Sequence, residues 1–192
     1  MAFSRQILPR ELSPDNLVPS LVSIGVNLGS TPSKSPVNIE DVLFFSSLDA
    51  ITNDDFRILS ILTTWLEVHH LAVNVDRLQS LVASNPTPKF RAYWASVATW
   101  LSSDHRFAKI KHLYKGPRLE LGPTGTDFHI SRHGEDPRFK KSFLKVPANL
   151  LRDRKSDVLS PSQLARQLRS YYNRMVIGAS YRADMWTALE ED

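Results

Sequence analysis

Residues 56–68, FRILSILTTWLEV, decide the fold expected of this chain. Apolar side chains occupy eight of these thirteen positions. They would cover most of the circumference of a helix, which is typical of a helix that is buried on nearly all sides. Asn53, Asp54 and Asp55 stand just before it, where short polar side chains can cap the first turn. The segment therefore predicts the central helix of a bundle.

Further helices are predicted on both sides of this segment. Asn38 and Asn74 can cap helices before and after it, and Pro88 suits the first turn of the next one. That helix carries one apolar stripe, formed by Phe90, Trp94, Val97 and Leu101. More helix is expected over 103–114. The chain thus predicts a helical bundle over residues 38–115.

Residues 1–37 predict an irregular N-terminal arm, because they contain five of the twelve prolines. One short helix fits between residues 14 and 28. The arm still carries apolar residues that must be covered, either by the body of the protein or by a partner protein: Leu17, Leu21, Ile24 and Leu28.

Residues 116–192 predict a small basic α+β portion. The segments 118–121 and 126–131 flank the turn sequence Gly-Pro-Thr-Gly, a pattern that favours a β-hairpin. Residues 142–146 could add a third short strand. The fold class expected overall is mainly α, with a helical bundle followed by this α+β portion.

Two helices are expected at the C-terminal end. Ser160 and Gln163 have the spacing of a capping box for a helix to about residue 172, and Ser180 can cap a last one. Such a pair could form a helix-turn-helix, or a winged helix with the hairpin, in which Arg182 lies on the helix that contacts bases. The alternative is a second small core built from Tyr171, Tyr172, Met175, Ile177, Met185 and Trp186.

The charge of the chain is concentrated in one block. Residues 105–155 carry thirteen Lys and Arg against five Asp and Glu, whereas the rest carries eleven against fifteen. Such segregation points to an anionic partner, and phenylalanines among the cations suit stacking on bases. The predicted nucleic-acid contacts are Lys109, Lys111, Lys115, Arg118, Arg138, Lys140, Lys141, Lys145 and, outside the block, Arg182. An acidic protein partner and a merely solvated face are the alternatives.

One residue pair offers a route to catalysis. Arg106 and His112 are separated by five residues, which resembles the Arg-x4-6-His pattern of HEPN-type ribonucleases, themselves helical bundles. The resemblance covers two residues and implies that Arg106 steadies a phosphate while His112 acts on the 2′-hydroxyl or the leaving group. Phe107 stands where that family commonly has a polar residue.

The sequence predicts no metal site and no cofactor. His69 and His70, near Glu67, are adjacent and would point in different directions on a helix. His129 and His133 have no third ligand at suitable spacing. The chain has no cysteine and no apolar stretch of the roughly 18 residues that a membrane span needs, which favours a cytoplasmic protein.

The function expected is non-catalytic nucleic-acid binding, DNA or RNA, in a regulatory or accessory protein of antitoxin, repressor or defence-subunit type. Two alternatives stand beside it. One is a protein-interaction subunit whose basic face binds an acidic partner, and the other is a HEPN-like ribonuclease that uses Arg106 and His112.

Overall fold

A computed structural model describes residues 14–122 and 125–191. The fold is mainly helical, with a helical bundle and a small α+β portion, as predicted. The helices are α1 Pro14–Ser23, α2 Ile39–Thr52, α3 Phe56–His69, α4 Val75–Ser84, α5 Pro88–Trp100, α6 Ala108–Lys111, α7 Thr126–His133, α8 Pro161–Gln167, α9 Arg169–Ile177 and α10 Tyr181–Glu191. Two short strands, β1 Leu119–Glu120 and β2 Leu144–Lys145, form a parallel pair.

Four of the predicted helix starts are confirmed by capping bonds, whereas the hydroxyl of Ser180 donates to the carbonyl of Gly178. Asn38 accepts hydrogen bonds from two amides in the first turn of α2, at 3.0 and 3.2 Å. Asp55 does the same for α3, at 3.0 Å each, and Asn74 accepts one bond in α4. Ser160 and Gln163 form the capping box of α8. These bonds satisfy amides that have no partner inside their own helix.

The core of the bundle is centred on α3 and α5. Trp65 of α3 is fully buried, and its indole donates a 2.8 Å hydrogen bond to the carbonyl of Ile24. Trp94 of α5 is also buried and donates to the hydroxyl of Ser47 at 3.1 Å. A single cluster of buried residues extends from Leu21 in α1 to residues of the C-terminal helices. Tertiary packing, more than local helix propensity, therefore holds these elements.

The body of the protein covers three of the four apolar residues predicted in the arm, while Leu17 is half-buried. Leu21 and Ile24 are buried, and Leu28 packs against the core. Gly25 has φ +91°, a left-handed conformation that favours glycine, and its carbonyl accepts a 2.8 Å bond from Leu159. These residues thus need no partner protein to cover them. Residues 1–13 of the predicted arm lie outside the described residues.

The predicted β-hairpin is wrong. Residues 126–133 form α7, and β1 pairs in parallel with β2, the segment expected to supply only a third strand. Gly125 at φ +94° and Gly134 at φ +83° bound the helix, while only one of its side chains, Thr126, is buried. Alternating apolar residues indicate a strand when one face of that strand is buried. Residues 126–133 have no such buried face, because all their side chains except Thr126 are at least partly exposed. A winged helix needs an antiparallel hairpin as its wing. Residues 118–122 and 125–131 do not form one, so this alternative is not supported.

Two predicted helices are shorter than expected. The segment 103–114 contains only a 3₁₀ turn and the four-residue α6, because Asp104 turns the chain by accepting a bond from the amide of Arg106. The helix expected over 160–172 breaks at Leu168, whose extended backbone separates α8 from α9.

Buried charges attach the C-terminal helices to the bundle. Arg174 of α9 donates two hydrogen bonds to the carboxylate of Glu40 in α2, at 2.6 and 2.9 Å, and a third to Asp184 of α10, at 2.7 Å. Burial alone would lower the pKa of Arg174, but the two carboxylates hold that pKa above its ordinary value. The guanidinium therefore stays charged, and it fixes α9 and α10 in place.

No helix within residues 14–122 and 125–191 combines the length and the apolar character that crossing a membrane requires.

Candidate nucleic-acid interface

Packing between two aromatic rings joins the two halves of the basic block. The Tyr114 ring contacts the Phe143 ring edge-on, with centroids 5.5 Å apart, and both side chains are half-buried. The phenol of Tyr114 donates to the carbonyl of Pro117 at 2.8 Å, and the amide of Phe143 donates to Ser96 of α5 at 3.1 Å. Together with the β1–β2 pairing, these contacts place residues 111–118 beside residues 138–145.

Four of the predicted contact residues on these two segments are exposed and form no ion pair in the described chain. They are Lys111, Lys115, Lys140 and Lys141, here called the lysine patch. None of the four forms an ion pair with a carboxylate in the described part of the chain, whereas the neighbouring cations do. Their ammonium groups are therefore available to an external anion.

Arg118 instead holds the local structure together. Its guanidinium donates to the carbonyls of Phe139 and Leu144, at 3.2 and 2.6 Å, and pairs with the carboxylate of Glu135. These bonds tie the start of β1 to the loop that precedes β2. All three bonds are made by Nη2, so the geometry supports a positioning role for Arg118 and commits this nitrogen to the fold.

Arg138 is engaged in the same way. It pairs with Asp136 at 2.6 Å, donates to the carbonyl of Leu151, and lies 5.8 Å from the ring centroid of Trp100. Burial lowers the pKa of Arg138, but the bonds to Asp136 outweigh this effect and raise the pKa overall. Contacts within the fold therefore neutralise the charge of Arg138.

The remaining predicted contacts differ in their surroundings. Lys109 pairs with Asp76 at 2.7 Å and Lys145 with Asp127 at 2.8 Å. Such surface ion pairs contribute at most about 1 kcal/mol, so a phosphate could replace either carboxylate at little cost. Arg182 lies on α10, which packs mainly on α9.

The guanidinium of Arg106 is occupied as well. It donates to Asp104 at 2.6 Å and to the carbonyls of Val73 and His70, both at 3.2 Å. Burial raises the pKa of Asp104, yet the bonds from Arg106 lower that pKa overall. His112 is exposed at the end of α6, and no hydrogen bond joins it to Arg106 in the described residues.

An open depression of about 420 Å³ lies beside Asp104 and Arg106. Because these two residues neutralise each other there, a phosphate would compete with the Asp104 carboxylate for the guanidinium. The resemblance to HEPN-type ribonucleases thus finds no geometric support.

His69 has a structural role. Its Nε2 lies 3.0 Å from the carbonyl of Leu159, which can only accept, so Nε2 carries the proton. Nδ1 then accepts the hydroxyl proton of Tyr171 at 2.8 Å. Burial lowers the pKa of His69 to about 4, and the bond to Leu159 opposes this shift in part. The ring is neutral at pH 7 and links α3 to α9.

The other histidines form no metal centre in the described residues. His129 and His133 stack on α7 with ring centroids 6.4 Å apart. Across residues 14–122 and 125–191, no three His, Asp or Glu side chains are grouped so that they could hold a metal ion.

Sequence reasoning missed two properties of this region. It ranked all cations of the block alike, although nearby carboxylates in the sequence, such as Asp136 two residues before Arg138, signal internal pairing. For the aromatic and methionine residues of the C-terminal helices it considered, besides a helix-turn-helix, only a second small core. Of those, only Tyr171 is buried.

Comparison of the chain with protein-family models, with curated proteins and with solved structures gave no significant match.

Proposed function

We propose that the protein binds nucleic acid through the lysine patch and does so without catalysing a reaction. The proposal is supported by one observation: Tyr114 packs on Phe143, and each of the two segments joined in this way carries two exposed lysines that form no ion pair in the described chain. A regulatory or accessory role, of antitoxin, repressor or defence-subunit type, fits such a binder.

The chemistry of the patch suits a phosphate backbone. Lysine ammonium groups act as point charges, which contact phosphates without selecting a base. The half-buried rings of Tyr114 and Phe143 lie among these charges, where exposed ring edges can contact an unpaired base. The expected mode is therefore electrostatic binding with weak sequence preference.

The number of lysines sets the expected salt dependence. Four neutralised phosphates give a slope of log K against log salt of about −3.6 for duplex DNA and about −2.8 for a single strand. Between 50 and 200 mM salt, affinity should then fall by about 150-fold for a duplex and about 50-fold for a single strand. Larger slopes would indicate that Lys109 and Lys145 also exchange their carboxylates for phosphates.

Fluorescence anisotropy with labelled duplex DNA, single-stranded DNA and RNA would test the proposal. A variant with all four patch lysines replaced by Gln should lose most of its affinity and most of its salt slope. The matched control replaces four other exposed cations that form no ion pair in the described chain by Gln, which gives the same net charge: Lys34, Arg57, Arg132 and Arg166.

The control should bind within about threefold of the parent protein, because long-range charge contributes little once salt screens it. Equal losses in both variants would show that only net charge matters and that the patch is not the site. Preferential binding of an acidic polypeptide over nucleic acid at equal salt would instead support the acidic protein partner.

A further inference from the structure

The C-terminal helices expose an unusual amount of apolar surface. Eight large side chains on α9 and α10 are between 39% and 68% exposed, and we call them the apolar C-terminal face: Tyr172, Met175, Val176, Ile177, Tyr181, Met185, Trp186 and Leu189. Scattered exposed apolar residues are ordinary, but a group this large marks an interaction surface.

Direct contacts show that the two helices contribute to one surface. The guanidinium of Arg169 lies 4.9 Å from the ring centroid of Tyr172 and donates to Glu190 at 2.7 and 2.8 Å. The indole of Trp186 donates to the same Glu190 carboxylate at 2.9 Å. Tyr172 of α9 and Trp186 of α10 are therefore linked across the outer side of the helix pair.

The surface is backed by fixed structure. Asn173 of α9 donates to Thr187 of α10 at 3.0 Å, and both side chains are buried. Arg174 bonds to Glu40 of the bundle, and Tyr171 bonds to His69. The apolar C-terminal face is thus preformed, so a partner would not have to order it on binding.

The size of the face matches one side of a standard protein interface. Each of the eight side chains leaves on the order of 100 Å² exposed, because a large side chain presents about 150–250 Å² in all. The sum over the two helices is roughly 800 Å² of exposed apolar side chain. It equals the roughly 800 Å² that each partner buries in an interface of standard size.

We infer that this face binds a second copy of the chain and forms a twofold-symmetric dimer. In such an interface the same patch meets itself, so its charges must not repel. Arg169 pairs with Glu190 and Arg174 with Glu40 and Asp184 within each chain. The exposed Arg182 of α10 forms no ion pair in the described chain, so a twofold contact has to keep the two Arg182 side chains apart. Trp, Tyr and Met are also the residues enriched in interface centres.

Sedimentation equilibrium of the full chain tests the dimer. The mass should approach twice 21.8 kDa at about 100 μM, since interfaces of this size commonly reach micromolar Kd or tighter. The double variant Val176→Glu, Leu189→Glu should be monomeric at that concentration. It places four carboxylates in the twofold interface, and like charges there cost several kcal/mol, which weakens association by more than about 100-fold.

Phe128→Glu is the matched control, because Phe128 is equally exposed but lies on α7. It should dimerise like the parent protein, and so should the variant without patch lysines. Both Glu substitutions in the double variant are at positions more than 65% exposed, so its circular dichroism and melting should stay close to the parent's.

Hydrogen exchange of the unaltered protein gives a measurement that needs no variant. Amides of residues 172–189 should become more protected as the concentration rises from about 1 to about 100 μM, across the Kd range given above. A protein that stays monomeric at the higher concentration overturns the inference, even if this face captures another protein or a vesicle. So does a double variant that dimerises as the parent does.

Discussion

Acid should weaken this protein through His69. In the folded state its ring is buried and neutral, with Nε2 donating to Leu159 and Nδ1 accepting from Tyr171. Its pKa is lowered to about 4, whereas an ordinary histidine has 6.5. As pH falls below 6.5, His69 binds a proton in the unfolded chain, whereas in the folded chain it stays neutral until the pH approaches 4. Stability is therefore complete above pH 6.5, falls between pH 6.5 and 4, and loses nothing more from this group below pH 4.

The size of the effect follows from these two pKa values. Lowering the pH from 7 to 5 should cost about 2 kcal/mol, and the full shift of about 2.5 pKa units corresponds to about 3 kcal/mol. For a chain of this length, a loss of 2 kcal/mol lowers Tm by about 4–8 °C. Carboxylates contribute little in this window, because most of them titrate below pH 5.

Urea denaturation at pH 7 and pH 5 measures the loss, with His69→Gln as the comparison. Glutamine can still donate to the Leu159 carbonyl, but it does not titrate. The parent protein should lose about 2 kcal/mol more than His69→Gln between the two pH values. Equal losses in both proteins would refute the argument and place the acid sensitivity elsewhere.

Three further substitutions test the packing, each by the urea midpoint. Trp94→Ala should cost about 3–5 kcal/mol by leaving a cavity in the core; a variant that melts within a few degrees of the parent would contradict this. Glu40→Gln should cost about 3–5 kcal/mol because it leaves Arg174 without a full counter-charge, and Glu40→Gln with Arg174→Met should recover part of the loss; no recovery would mean that the pair is not the cause. Gly25→Ala should cost at least about 1–2 kcal/mol, since φ is +91° and the new methyl would lie 3.0 Å from Leu164; an unchanged midpoint would exclude strain there.

The helical bundle could be predicted because its signals are local. Asn38, Asp55 and Asn74 act within one turn of their own helices, and the stripe containing Trp94 repeats at the helical period. Local signals of this kind could not show that the predicted hairpin was wrong. Whether residues 126–131 form a strand depends on what β1 pairs with, and its partner Leu144 is 25 residues away in sequence.

The site could be predicted only in outline. Composition located the basic block. Which of its cations can contact an external anion depends on the ion pairs they form with carboxylates, and these ion pairs exist only in the folded chain. Arg118 reaches Glu135, and Lys145 reaches Asp127, across sequence separations that no local pattern encodes. The apolar C-terminal face was missed for a related reason. Its residues look like a core until the structure shows that nothing in the described chain covers them.

The bond between Glu40 and Arg174 also bears on how the protein is made. A ribosome releases the chain from its amino end, so Glu40 emerges 134 residues before the arginine that neutralises it. Until then, a carboxylate that will be fully buried has no counter-charge, and burying it unpaired would be costly. We therefore expect the bundle to remain open around α2 during synthesis and to close only when α9 arrives, which couples completion of the chain to completion of the fold.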